Sequence, residues 1–224
     1  MIIAESAKLP APMKPNPEAF TAAERRIIEK YRTPRQVQAF LRKLKYNREE
    51  EGDSQRSFRE VVKRKSAHCL EAAITAAVIL EQHGYPPLLL SFESVDELDH
   101  VIYIFQKNGL WGSLARSRDA GLHGRKAVFK SPKELAASYI DPYVDLSGRI
   151  TGYAVVDLNE LGNYNWRFSK NNLWKLEDFL IAYPHKKLGC SERHYQKLLK
   201  RYREFRERYP KRQALYFENK NLWL

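Results

Sequence analysis

The stretch KSAHCLEAAITAAVILEQHG, residues 65–84, decides how the chain is read. From Ala67 to His83 only Glu71 and Glu81 carry formal charge, and alanine and branched aliphatic residues fill most other positions. A helix of that texture has no polar stripe to turn toward water, so it is buried nearly all round. Ser66 is the N-cap expected for it. Gly84 ends it, and Pro86 and Pro87 prevent its resumption. Cys69, one of two cysteines in the chain, then falls in the first turn. Unpaired N–H groups and the positive end of the helix dipole favour a thiolate there. The same groups can hold an oxyanion during acyl transfer. A buried cysteine is more often an inert core residue, so the placement matters only if a base reaches it.

Downstream the texture changes. PLLLSFES (87–94), HVIYIFQ (100–106) and LWGSLARS (110–117) are short β-rich runs. Asn108-Gly109 between the last two is a hairpin signal. A two-residue turn there pairs Lys107 with Leu110 and, continued outward, brings His100 opposite Ser117. Asp119 lies two residues further on the same face, whereas Asp99 points to the opposite one. SPKELAASYIDPY (131–143) restarts helix with a capping box at Ser131 and Glu134. YAVVDL (153–158) reads as a further strand and NNLWKLEDFLIAY (171–183) as a helix. SERHYQKLLKRYREFRERY (191–209) is amphipathic, with Tyr195, Leu198, Leu199, Tyr202 and Phe205 on one face and basic residues opposite.

Upstream, Thr21 with Glu24 and Thr33 with Pro34 and Gln36 open two helices. NREEEGDSQRS (47–57) is a charged loop, and residues 1–17, with Pro10, Pro12, Pro15 and Pro17, form an extended arm. Helices, a buried helix, a strand meander and more helices make an α+β chain rather than an alternating one.

The 224 residues, 43% hydrophobic and 12% aromatic, suit one large globular domain. No apolar run approaches the ~20 residues of a membrane span, the start has no secretory pattern, and two cysteines make no disulfide framework. The expected setting is the cytoplasm. A formal charge of +12 favours acidic partners, nucleic acid among them. His185, Cys190 and His194 lie close together in sequence, but their spacing matches no common zinc pattern, and GLHGRK (121–126) lacks the form of a phosphate loop.

HCLEAA at the start of the buried helix, DHVIYIF on the next strand and GLWGSLARS closing the hairpin resemble the transglutaminase-like superfamily, which shares the papain-like cysteine arrangement. The likeness covers roughly residues 33–160 and is nearest to a bacterial branch for which no substrate is implied. It implies a helix packed on an antiparallel sheet, with residues 1–32 as an N-terminal arm and helix and 161–224 as a helical C-terminal extension. It implies a nucleophilic Cys69, a base at His100 and an orienting aspartate on the following strand. The aspartate's place reads Ala115, Arg116, Ser117, so Ser117 or Asp119 is left to hold the imidazole. Tyr46 and Gln38 are placed to line the oxyanion site. Arg116, Arg118 and Arg125 cluster after the hairpin and are candidates for an acidic substrate group. His68 reads as a wall or core residue, pointing away from Cys69 around the helix. The expected chemistry is acyl transfer from an amide- or peptide-bearing substrate, by hydrolysis or transamidation, with no cofactor and no metal. The alternative is an inactive scaffold that binds nucleic acid or another acidic partner through its basic C-terminal helix.

Overall fold

The computed structural model describes residues 15–50, 52–96, 100–217 and 219–224. Asp99 and most of the proline-containing arm, Pro10 and Pro12 included, lie outside them. The chain runs α1 (Ala22–Lys30), α2 (Pro34–Lys43), β1 (Lys45–Tyr46), α3 (Phe58–Arg64), β2 (Ser66–Ala67) and α4 (Cys69–Glu81). It continues through β3 (Leu88–Ser94), β4 (Val101–Lys107), β5 (Leu110–Leu114), β6 (Arg125–Phe129), α5 (Pro132–Ala137), α6 (Ile140–Tyr143) and β7 (Ile150–Asp157). The last elements are α7 (Trp174–Ala182), β8 (Lys186–Lys187) and α8 (Glu192–Arg208). None of the described helices is long and apolar enough to cross a membrane.

Six strands form an antiparallel sheet in the order β6-β5-β4-β3-β7-β8. Strand alternation sorts its side chains onto two faces. Leu89, Val101, Tyr103, Phe105, Ala154 and Val156 pack with α4 in one core. Leu90, Phe92, Ile102, Ile104 and Trp111 pack with Leu135 and Tyr139 of the α5 region in the other. Both faces are therefore apolar, which is why the strands read as almost continuous hydrophobic runs. Helix α4 is buried along its length from Leu70 to Glu81.

The first core also takes in Phe20 and Ile28 from the N-terminal segment and Trp166, Leu173, Leu176 and Leu180 from the C-terminal one. The chain after residue 160 also supplies β8, which pairs with β7. The expected boundaries at 32/33 and 160/161 are thus not boundaries of the core, and the C-terminal portion is not wholly helical.

The structure departs from expectation at the start of α4 and at the end of the hairpin. Ser66 does not cap α4; it lies in β2, paired in parallel with β1. The N-cap is His68, and the Glu71 carboxylate accepts a hydrogen bond from its backbone N–H at 2.9 Å. The His68–Glu71 spacing is that of a capping box, and it was the legible signal for where the helix starts. The hairpin holds its expected register, Lys107 opposite Leu110, with Asn108 and Gly109 both at positive φ (52° and 76°), as the tightest two-residue turn requires. The paired rungs, however, stop at Tyr103–Leu114. Gln38 of α2 occupies both main-chain groups of the next residue, donating to the Ala115 carbonyl (2.8 Å) and accepting from its N–H (3.0 Å).

Gln38 is therefore a buried splint for the end of β5, not an oxyanion donor. Gln38→Leu leaves a buried N–H and C=O without partners, an expected loss of about 2–4 kcal/mol in urea unfolding. A Gln38→Leu protein as stable as the parent would show that these two bonds do not hold the strand end.

Candidate active site

Cys69 and His100 meet because α4 and β4 begin at the same end of the sheet. Cys69 is the first helical residue of α4, where backbone N–H groups have no acceptor within the helix. His100 immediately precedes β4, and its carbonyl accepts from the Phe92 N–H (2.9 Å), extending the β3–β4 pairing by one rung. Its ring lies parallel to that of Phe92, 6.1 Å between centroids and 8° between planes, with Tyr139 beyond. His100 is buried while the Cys69 residue is half-buried.

The imidazoles of His100 and His68 line the same cleft as the Cys69 sulfur. Burial alone pushes the thiol up, but the hydrogen bonds from His100 and His68, and then their charges, outweigh it and hold the group well below the ordinary thiol range.

The group that orients His100 is neither of those expected. His100 Nε2 lies 3.2 Å from the main-chain carbonyl of Leu122. A carbonyl only accepts, so Nε2 carries the proton and Nδ1 is the nitrogen left for the sulfur. Ser117 Oγ instead accepts from the Asp119 N–H (3.2 Å). Asp119 is partly exposed and faces Arg118 (3.5 Å). The extrapolated rung between His100 and Ser117 fails because β5 ends at Leu114 and the chain turns into the loop around Ala120–Leu122.

That loop is held from beneath by Arg125. Its guanidinium donates to the carbonyls of His123 and Gly121, both at 2.6 Å, and stacks on Tyr139 at 4.2 Å. Arg125 is 2% exposed, so it is a structural clamp and not a substrate-binding cation. Arg116 is likewise committed: it reaches the carbonyls of Leu44 and Ser117 and lies over the Tyr46 ring. Arg118 remains exposed on the rim. His123, in the same loop, is depressed to about 4 by burial and then by the charges of Arg116 and Arg42, so it is neutral at pH 7.

Tyr46 does reach the site. The short β1–β2 ladder sets Tyr46 beside Ala67, two residues before Cys69. Burial, and then negative charge on Cys69, pushes its phenol up to about 12; it stays protonated and able to donate at neutral pH.

His68 was misread. As the N-cap it has extended backbone, φ −89° and ψ −169°, so the helical rule that turns a neighbour about 100° away does not apply. Behind His68 lies a buried polar network centred on Glu71, which accepts from Asn47 Nδ2, Ser54 Oγ and the Arg56 N–H at 3.1–3.3 Å.

Cys69, His68, His100 and Tyr46 line an open cleft of about 940 Å³, near the upper end of the size range of small-molecule pockets. One wall comes from the far end of the chain, where Gln213 Nε2 donates to the Arg118 carbonyl (3.1 Å). The separate histidines have other partners: His185 Nδ1 is 2.7 Å from the Tyr183 carbonyl and His194 Nε2 is 2.9 Å from Asp141. Among the described residues no group of three His, Cys, Asp or Glu side chains is arranged to hold a metal ion. No protein-family model matches the chain, and no curated protein matches it significantly.

Proposed function

We propose that the protein is a transglutaminase-like cysteine acyltransferase or hydrolase acting on amide- or peptide-bearing substrates. The observation that carries this reading is Cys69 at a helix N-terminus, lining an open cleft together with the imidazoles of His100 and His68, which hold its thiol well below the ordinary range. The thiol proton passes to His100, and the thiolate attacks the substrate carbonyl. A sulfur–carbon bond forms and the carbonyl electron pair moves onto oxygen. The first-turn N–H groups of α4 and the protonated Tyr46 hydroxyl are the donors placed to hold that oxyanion. Collapse expels the amine, which takes the proton from His100. Water resolves the thioester by hydrolysis, or a second amine resolves it by transamidation, with His100 taking the incoming proton.

Cys190 is an internal control, because burial raises its thiol, only partly opposed by Arg149. Lowering the pH from 8 to 6 should slow iodoacetamide alkylation of Cys190 by about 100-fold, in step with its thiolate fraction. Cys69 should lose less than about tenfold, and p-nitrophenyl acetate should leave an acetyl group on it, read by intact-protein mass. Two thiols that slow alike, with no acyl adduct, would refute the enzyme.

A second reading, a scaffold that contacts nucleic acid, is supported by the exposed Lys197, Lys200, Arg203 and Arg208 of α8. It requires binding to single- or double-stranded oligonucleotides that weakens steeply with salt. Salt-insensitive binding, or none, removes it.

A further inference from the structure

We propose that His68, backed by the carboxylates of Glu71 and Glu49, is the standing cation of the site: it keeps the Cys69 sulfur ionised and leaves His100 free to carry protons. This rests on the reading of Cys69 as the nucleophile and assigns a second catalytic imidazole to it.

The geometry separates the two rings. His68 Nε2 is 2.7 Å from the Ser54 carbonyl, which can only accept, so Nε2 donates. An imidazole that donates into a shell of carbonyl and carboxylate oxygens is favoured in its charged form. Around Nε2 stand Glu71 Oε1 at 3.6 Å and Glu49 Oε1 at 3.8 Å. His100 has a neutral carbonyl on Nε2 and aromatic rings beside it. The carboxylate expected behind His100 is thus found behind His68.

The other charged groups that face His68 do not reverse this. Arg56, from the loop before α3, lies 3.6 Å from Glu71 and donates its backbone N–H to the same carboxylate. Glu177 of α7, hydrogen-bonded to Gln55 at 2.6 Å, is raised by burial while the His68 charge lowers it. Burial opposes charge on His68, yet the hydrogen bond to Cys69, the sulfur's charge and Glu71 together raise it to about 9. His68 is charged below about pH 9 and loses its proton above. In the cycle it gives up no proton; His100 carries the proton that leaves on the amine and regains one from the water or amine that resolves the thioester.

The test is the pH profile of Cys69 alkylation in the full-length protein and in His68→Gln and His100→Gln. His68→Gln should slow alkylation at pH 6 by about 10–100-fold and shift the midpoint up by one to two pH units, one unit being tenfold in thiolate. His100→Gln should move the midpoint less than half as far, yet abolish release of the amine from an amide substrate. Equal shifts in the two variants, or a larger one in His100→Gln, overturn the division of roles while the nucleophile reading stands. An unmodified protein whose Cys69 titrates like an ordinary thiol overturns the nucleophile reading itself. Should His68→Gln fail to fold, the ¹⁵N shifts of the His68 ring in the unmodified protein decide. Both nitrogens protonated at pH 7.5 support the proposal, and a neutral ring at that pH refutes it.

Discussion

His100→Ala is expected to lower acyl-transfer turnover by about 10²–10⁴-fold, the usual loss when a positioned acid–base is removed, while Ser117→Ala and Asp119→Ala stay within a few-fold of the parent. The difference comes from where the hydrogen bonds go. The Leu122 carbonyl already sets the tautomer of His100, and the parallel Phe92 ring limits its rotation. Ser117 Oγ serves the Asp119 N–H, and Asp119 pairs with Arg118 at the exposed rim. A neutral carbonyl orients an imidazole without stabilising its cation as a carboxylate does. Single-turnover measurement of amine release, beside thermal unfolding of each variant, reads this directly. A Ser117 or Asp119 variant as damaged as His100→Ala, with unfolding unchanged, would restore the arrangement expected from the family resemblance.

The second large effect is expected at Arg125. Arg125→Leu removes charge-assisted hydrogen bonds to the carbonyls of His123 and Gly121 and leaves both acceptors with fewer partners in a buried place. The expected cost is about 3–5 kcal/mol in denaturant unfolding, since each such bond to a charged group contributes roughly 1.5–3 kcal/mol. These carbonyls flank Leu122, whose own carbonyl holds His100, so amine release should fall further than the loss of folded protein explains. Arg125→Lys keeps the charge but not the planar fork that reaches two carbonyls at once, and should recover less than half of the stability. An Arg125→Leu protein as stable as the parent, or one that loses only substrate affinity, would show that the guanidinium serves the substrate after all.

How much of this was legible in the chain differs from element to element. The heptad-free apolar run after His68 could only be an enclosed helix, and the Asn108-Gly109 turn could only set one hairpin register. Capping residues marked α1, α2 and α5 at their N-termini. Strand β6 and the short β8 were not legible, because RKAVF and a pair of lysines carry little pattern of their own and become strands by pairing with β5 and β7. Helix α3 was hidden in a basic run whose apolar residues, Phe58 and Val61, show their purpose only against the core.

Local periodicity and capping over a few residues were enough to set the α+β class, the buried helix and the position of one thiol in that helix's first turn. Which groups serve that thiol depends on chain segments that only folding brings together. Gln38 reaches Ala115, Arg125 supports the loop behind His100, and His68 is held by the Ser54 carbonyl. Polar side chains of one kind read alike in a linear chain. Their roles follow from which donors and acceptors folding leaves within about 3 Å, out of reach of water.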